Sequence, residues 1–348
     1  MASPLLTTPA TATTALPSAK TLTTQLSKTG YTIIPSLLSP SSLLALRTAT
    51  TSLTALARAG HWPHVRTVGK QFPPWPLPSP SAPLPIWGLQ HLLHPELPLP
   101  KEMREEFVKV YFDKGLLECC EALVGMAGGE RARGEKGTGE KRERGELVME
   151  LFNLLVTPKG IPGSGEGGEG EEREEGKEKG FSLRWHRDDI PWSATAEEEA
   201  ALLGHPAWHA QWNLPLYDDD SLVVVPGSHA RPRTDAEKEA GPYDEDMPGA
   251  VRVALKAGDV VFYDNNILHR GVYDSGKERA TLHGSVGHVA GSKARARNVL
   301  QHGVGEYVEG CDFGCLGNGK AREVAEGMRR RLVEMGRENT DVGFSLDG

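Results

Sequence analysis

A chain of 348 residues can bury one large core or two modest ones, so length leaves the domain count open. Its net charge of −8 argues against general nucleic-acid binding, which needs a basic surface to displace counterions from phosphates. No run approaches the roughly 18 consecutive apolar residues of a membrane span.

Residues 1–22, rich in Ser, Thr, Ala and Pro, lack the basic start and apolar centre of a secretory signal and read as a disordered leader. The closing FSLDG is not the tripeptide of peroxisomal import, which leaves a cytoplasmic location as the expectation. SKTGYTIIPSLL (27–38) reads as a polar start, a glycine turn, a short β-branched strand and a proline stop. Leu43, Leu46, Leu53 and Leu56 then recur at near-helical spacing, with Ser41 or Ser42 as cap and Gly60 as stop. Residues 72–100 are dense in proline and read as an ordered surface loop. A second helical stretch is expected from Lys101 to Val124, with Phe107, Val110 and Tyr111 on one stripe.

Two segments made of glycine and charge, at about 128–145 and 160–180, have almost nothing to bury and read as disordered insertions. Between them ELVMELFNLLVTP reads as a buried strand. From 181 to 288 short β-rich runs alternate with Gly, Pro, Asp and Asn: FSLRWH, HAQWNLPL, SLVVVPGSH, VRVALKAGDVVFYDN, ILHRGVY and ATLHGSVGHV. Strands at this spacing predict an antiparallel sandwich or barrel. A C-terminal helical extension is expected over 311–348, where Val324, Met328, Leu332 and Met335 share a face. Cys119, Cys120, Cys311 and Cys315 lack zinc-site spacing and read as four reduced thiols.

The chemistry concentrates in RWHRDD. On a strand, side chains alternate faces, so His186 and Asp188 point one way while Arg187 and Asp189 point the other. An imidazole and a carboxylate on one face are two adjacent ligands for a divalent first-row metal. A His-x-Asp pair alone is a weak signal, and an isolated match reads better as a surface His beside a solvated Asp. Here KAGDVVFYDNNILHRG supplies a turn, a buried strand and then His269, which completes a 2-His-1-carboxylate facial triad. Arg279 follows ten residues later, where its planar fork suits the distal carboxylate of 2-oxoglutarate, and Thr281 lies on the same strand face.

With these motifs in order, the sequence resembles the phytanoyl-CoA dioxygenase family of Fe(II)- and 2-oxoglutarate-dependent oxygenases. The matching elements are TGYTIIPSLL with its helix, the strand ending in LLVTP, WHRDD, DDDSLVVVPGSH, AGDVVFYDNNILHRG and Arg279. The resemblance implies a mainly β fold with flanking helices around a double-stranded β-helix (jelly-roll, cupin-like) core, as one domain over residues 23–310. It implies Fe(2+) held by His186, Asp188 and His269, 2-oxoglutarate and O2 as co-substrates, and no catalytic residue beyond the iron centre. By the same resemblance Arg279 holds the 2-oxoglutarate tail, and Asn153 and Trp212 fall where the family places further co-substrate contacts. The expected reaction hydroxylates or otherwise oxidises a C–H bond of a small, hydrophobic organic substrate, releasing succinate and CO2. A carboxylate at Asp188 favours hydroxylation, desaturation or ring chemistry over halogenation.

The chain departs from the family at Arg187, where Gln is common, at Gly271, where a small hydroxyl residue is common, and in the insertion before WHRDD. TVGKQFPPW and WGLQHLLHP occupy the region that roofs the family's active site, so Lys70, Gln90 and His91, together with Trp185 of the metal motif, are candidate substrate-binding residues. Trp185, Trp192, Trp208 and Trp212 cluster around the metal motif, either as core or as an apolar wall for substrate; the resemblance favours the site for Trp212. His205 and His209 read as a partly buried structural pair, His283 and His288 as cavity or packing residues, and Asp218–Asp220 as a solvated turn. The competing reading is a non-catalytic β-barrel small-molecule binding protein with zinc or nickel in the triad, for which Arg279 would have no purpose. An oxygenase acting on nucleic acid or histone tails is disfavoured by the acidic balance.

Overall fold

The computed structural model describes residues 16–71, 73–75, 84–127, 130–131, 146–158, 181–274 and 276–343. The expected insertions fall largely outside these residues, as do residues 1–15 of the expected leader. Thirteen strands are described: β1 (Tyr31–Ile34), β2 (Val65–Thr67), β3 (Ile86–Leu89), β4 (Met126–Ala127), β5 (Glu130–Arg131), β6 (Leu147–Val156), β7 (Phe181–Ser182), β8 (His209–Pro215), β9 (Leu222–Val224), β10 (Val251–Arg252), β11 (Val260–Tyr263), β12 (His269–Tyr273) and β13 (Ala280–His288). A seven-stranded sheet runs in the order β1-β11-β8-β13-β6-β3-β2 and a four-stranded sheet in the order β10-β9-β12-β7. All pairings are antiparallel, which gives the jelly-roll architecture.

The period of two sorts the large sheet into two faces. Even-numbered residues of its central strands, Phe152, Leu154, Trp212, Leu214, Phe262, Leu282 and Val286, are buried in the main core. Helices supply the other half of that core through Leu46, Leu53, Phe107, Tyr111, Leu116, Met328 and Leu332. Odd-numbered residues, among them Leu151, Leu155, Gln211, Asn213, Arg279, His283 and Ser285, face a cavity closed on its far side by β9 and β12. Burial of the helical stripes against one face therefore leaves the other free for chemistry.

Several sequence expectations shift. The first helix begins at Ala19, capped by the Ser18 side chain, and buries Leu22, so the leader ends earlier than residue 22. Ser39, not Ser41 or Ser42, caps the helix Pro40–Arg58. The helical stretch from Lys101 breaks in two because Asp113 accepts a hydrogen bond from the Leu116 amide and starts a second helix, Lys114–Leu123. Within the proline-dense region, residues 86–89 pair with β6 and β2 as strand β3. The C-terminal helix Lys320–Arg337 is no appendage: Ala325, Met328 and Leu332 are fully buried in the main core. Among the described residues no helix is long and apolar enough to cross a membrane. Cys119, Cys120 and Cys311 are buried and Cys315 partly so, all as free thiols.

One buried ion pair ties this framework together. Arg295 donates from Nε and Nη2 to the two carboxylate oxygens of Glu150 on β6, both at 2.7 Å, and Ser285 Oγ adds a bond of 2.8 Å. Glu150→Ala is expected to destabilise the fold by about 3 kcal/mol, the lower end for a broken buried pair because Arg295 is partly open. The midpoint of urea unfolding checks it.

Candidate metal centre and cavity

His186 does not lie on a regular strand, as its sequence pattern suggests; it forms an isolated bridge with His269 at the start of β12. Each amide donates to the other residue's carbonyl at 3.0 Å, which sets the two imidazoles side by side with ring centroids 4.3 Å apart. The strand alternation expected of the motif is not reproduced as such: His186, Arg187, Asp188 and Asp189 all border the cavity. What separates them is their bonding, since the buried Arg187 guanidinium donates from Nη1 to Ser228 O (2.8 Å) and Asn266 O and from Nη2 to Arg231 O (3.1 Å). Arg187, the departure from the family pattern, thus clamps the two loops behind the ligands.

The Nδ1 atoms of His186 and His269 each bond a main-chain carbonyl at 2.8 Å, Arg184 O and Ile267 O respectively. A neutral ring so held carries its proton on Nδ1 and offers the Nε2 lone pair. Those Nε2 atoms stand 3.6 and 3.8 Å from Asp188 Oδ1, while Gln211 Nε2 donates to Asp188 Oδ2 at 2.9 Å. Adjacent donors about a six-coordinate ion with ~2.1 Å bonds lie ~3 Å apart, so the trio needs only a small contraction to hold one. Among the described residues this is the one group of three or more His, Cys, Asp or Glu with metal-binding geometry.

Charge at the trio suits a cation. Burial, reinforced by neighbouring His269, lowers the His186 pKa to about 4, so the ring is neutral at neutral pH. Burial alone would raise Asp188, but the His269 and His186 rings and the Gln211 bond outweigh it and hold the carboxyl below its usual range.

The cavity has a volume of about 810 Å³. Arg279 lines one end, and its Nε donates to Asp219 Oδ2 at 2.9 Å. Thr281 Oγ1 donates to the same oxygen at 2.6 Å. Asp219 is therefore not in a solvated turn: it is nearly buried, and although burial opposes ionisation, Arg279 and the Ser221 and Thr281 bonds bring its pKa to about 2. The guanidinium carbon of Arg279 lies 4.6 Å from the centroid of Tyr273. Its Nη1 is buried with no hydrogen-bond partner among the described residues. An orphaned, buried guanidinium nitrogen at the end of a cavity fits a carboxylate.

Other candidates fare differently. Trp212 occupies an even position on β8 and is buried against Tyr111 and Phe152, on the opposite face from the cavity. Trp185, next to His186, likewise points away, packing with Val223, Val225, Met247 and Leu268 and donating to Asp244 O. Thr281 reaches Asp219 rather than the cavity. Asn153, paired with His283 across β6 and β13, is fully buried and accepts from the His91 amide at 3.2 Å. Lys70 sits in the turn paired with Thr67, Gln90 is buried beside Trp62, and His91 is enclosed by the rings of His64, Trp75 and Tyr307. None of these is among the residues lining the cavity: Asn153, Gln90 and His91 are buried in the packing, and Lys70 stays in a half-exposed turn.

Residues missed from sequence are Gln211, Asn213, Tyr273 and Arg66, all on the cavity wall. Tyr273 was legible: His269, Gly271 and Tyr273 share a face at a period of two. A Cβ on Gly271 would meet the Tyr273 ring at 3.0 Å, so glycine at this departure from the family pattern lets the tyrosine lie back along its strand. His205 and His209 line the cavity together. His283 also lines it and bonds Asn213 Oδ1 at 2.8 Å.

Burial, with help from Arg66, lowers His283 to about 3, and burial likewise lowers His302 to about 4. Both folded-state values lie below the unfolded ~6.5. The unfolded chain therefore takes up protons that the native state refuses, and stability is lost as pH falls from about 6.5 towards 3. Urea unfolding at a series of pH values should show this slope, reduced in His283→Asn.

Residues 171–280, which carry His186, Asp188, His269 and Arg279, match the sequence profile of phytanoyl-CoA dioxygenase (PhyH). No curated protein sequence matches the chain. Among solved structures it is similar to AviO1 from Streptomyces viridochromogenes Tue57 (16% identity, TM-score 0.46, covering 79% of this chain and 96% of that one). It is also similar to EctD from S. alaskensis with 2-oxoglutarate and 5-hydroxyectoine (18%, 0.48, 78% and 77%). A further similar structure is HygX from Streptomyces hygroscopicus with nickel, 2-oxoglutarate and hygromycin B (14%, 0.42, 76% and 84%). The matched segment, about a third of the chain, is similar to the phytanoyl-CoA dioxygenase family and carries the metal-binding trio, which is the arrangement of an iron- and 2-oxoglutarate-dependent oxygenase.

Proposed function

We propose that this oxygenase hydroxylates, or otherwise oxidises, a C–H bond of a small and largely apolar organic molecule held in the cavity. His186, Asp188 and His269 hold the iron, and Arg279 holds the distal carboxylate of 2-oxoglutarate. When bound, this pair supplies an oxidant for the substrate C–H bond as 2-oxoglutarate is converted to succinate and CO2. The observation that carries the reading is the Arg279 end of the cavity. Asp219 engages Nε and orients the guanidinium, Tyr273 lies beside it, and Nη1 is left without a protein partner.

The remaining work belongs to the protein. The Nδ1 bonds to Arg184 O and Ile267 O fix both imidazoles with Nε2 inward, and Gln211 leaves one Asp188 oxygen for the metal. Trp87, Leu151, Leu155 and Leu183 form apolar wall that limits water near the reacting bond. Asp188 occupies the carboxylate position, which favours hydroxylation, desaturation or ring chemistry. The test is anaerobic titration of the Fe(II) protein with 2-oxoglutarate, followed by admission of oxygen. The expected result is the visible charge-transfer band of the chelate and then succinate. Iron binding without that band would point instead to a metal-holding β-barrel without oxygenase activity.

A further inference from the structure

We infer that Arg66 is the anion-binding group for the organic substrate, and that this substrate is an organic acid with one carboxylate on a largely apolar body. The inference rests on the oxygenase reading of the cavity and extends it to substrate class.

Arg66 lies on the edge strand β2, opposite Gly88 of β3, and lines the cavity. A Cβ on Gly88 would meet Arg66 Cβ and Cδ at 3.2 and 3.3 Å, so the arginine stem lies flat on the glycine. Its guanidinium carbon is 5.5 Å from the centroid of Trp87. The Nε atom is buried without a hydrogen-bond partner, and among the described residues Arg66 makes no ion pair.

Three other arginines around the site are committed: Arg279 to Asp219, Arg295 to both oxygens of Glu150, and Arg187 to three main-chain carbonyls. Arg66 differs. Burial lowers its pKa to about 10, with Tyr273 and Asp188 opposing, so it stays charged at neutral pH. An enclosed cation with no counter-ion is costly to keep, and an arriving carboxylate offsets that cost through the planar fork. The two carboxylates of 2-oxoglutarate are already provided for, by Arg279 and by the metal. Beside Arg66, Trp87 and Leu155 pack in an apolar cluster with Phe181 and Tyr273, and Leu183 lies against it, which suits a hydrocarbon or aromatic body.

The probes are benzoate and hexanoate against the uncharged benzamide and hexanamide. Each is titrated by calorimetry into the Fe(II) and 2-oxoglutarate-loaded protein without oxygen, and into the metal-free protein. Wild type should bind each acid at least about tenfold tighter than its amide, the scale of one charge-assisted pair. Arg66→Gln should erase that preference and Arg66→Lys should keep part of it. Gly88→Ala, which crowds the stem, should weaken it. Equal binding of acid and amide by wild type would overturn the inference, as would a preference that survives in Arg66→Gln. Selective loss of 2-oxoglutarate affinity in Arg66→Gln would assign the residue to the co-substrate and overturn it equally. Failure of wild type to bind 2-oxoglutarate would instead overturn the oxygenase reading, since the metal-free titration reads Arg66 separately.

Discussion

Arg279→Ala is expected to weaken 2-oxoglutarate binding by two to four decades. The variant leaves the distal carboxylate desolvated with no fork to meet it, and losing one partner of a buried charge pair costs about 3–5 kcal/mol. Arg279→Lys should recover only part, because an ammonium cannot reproduce the bidentate geometry. Iron affinity should barely change. The structure adds a control that the sequence did not suggest. Removing Arg279 also strips Asp219 of its counter-ion, so the single variant loses fold stability along with ligand affinity. In Arg279→Ala/Asp219→Ala the stability should return while the affinity does not. The chelate absorption band, followed in an anaerobic titration beside a thermal melt, separates the two effects. Equal 2-oxoglutarate affinity in wild type and all variants would make Arg279 a purely structural residue.

Asp188→Ala is the second large effect. Outer-shell partners of a metal site are worth ~10–100-fold in metal affinity, so loss of a direct ligand should exceed about 100-fold and take succinate production to background. The fold should persist, because Asp188 opens onto the cavity and its main-chain bond to Asn265 O survives the substitution. His186→Ala and His269→Ala should behave alike. Bound iron measured after desalting, with succinate release alongside, reads both quantities; full iron occupancy and turnover in Asp188→Ala would sink the ligand assignment.

The candidate trio was legible because its information is local, even though the segment is no regular strand. A His and an Asp two residues apart stay close whatever the register, and His269 and Arg279 follow a turn-strand-loop pattern written in Gly258, Asp259 and VVFY. The antiparallel β class, the strand at residues 147–156 and the buried stripe of the last helix follow from periodicity in the same way.

What the tertiary structure decided is which face of each strand meets the cavity. A period of two divides a strand into two sets without saying which set is inside. Only the pairing of β8 between β11 and β13, with helices packed on the far side, sends Trp212 into the core and Gln211 and Asn213 to the cavity. Trp185, Lys70, Gln90 and His91 lie outside the strands, and their placement away from the cavity follows from how the connecting segments pack. The limit of register also hid Arg66, whose strand reaches the cavity wall through β3, and Asp219, which its acidic neighbours made look solvated until Arg279, 60 positions on, closed over it. Local chemistry is written in spacing of two to four residues. The lining of a cavity is a property of long-range register, which this chain reveals only when folded.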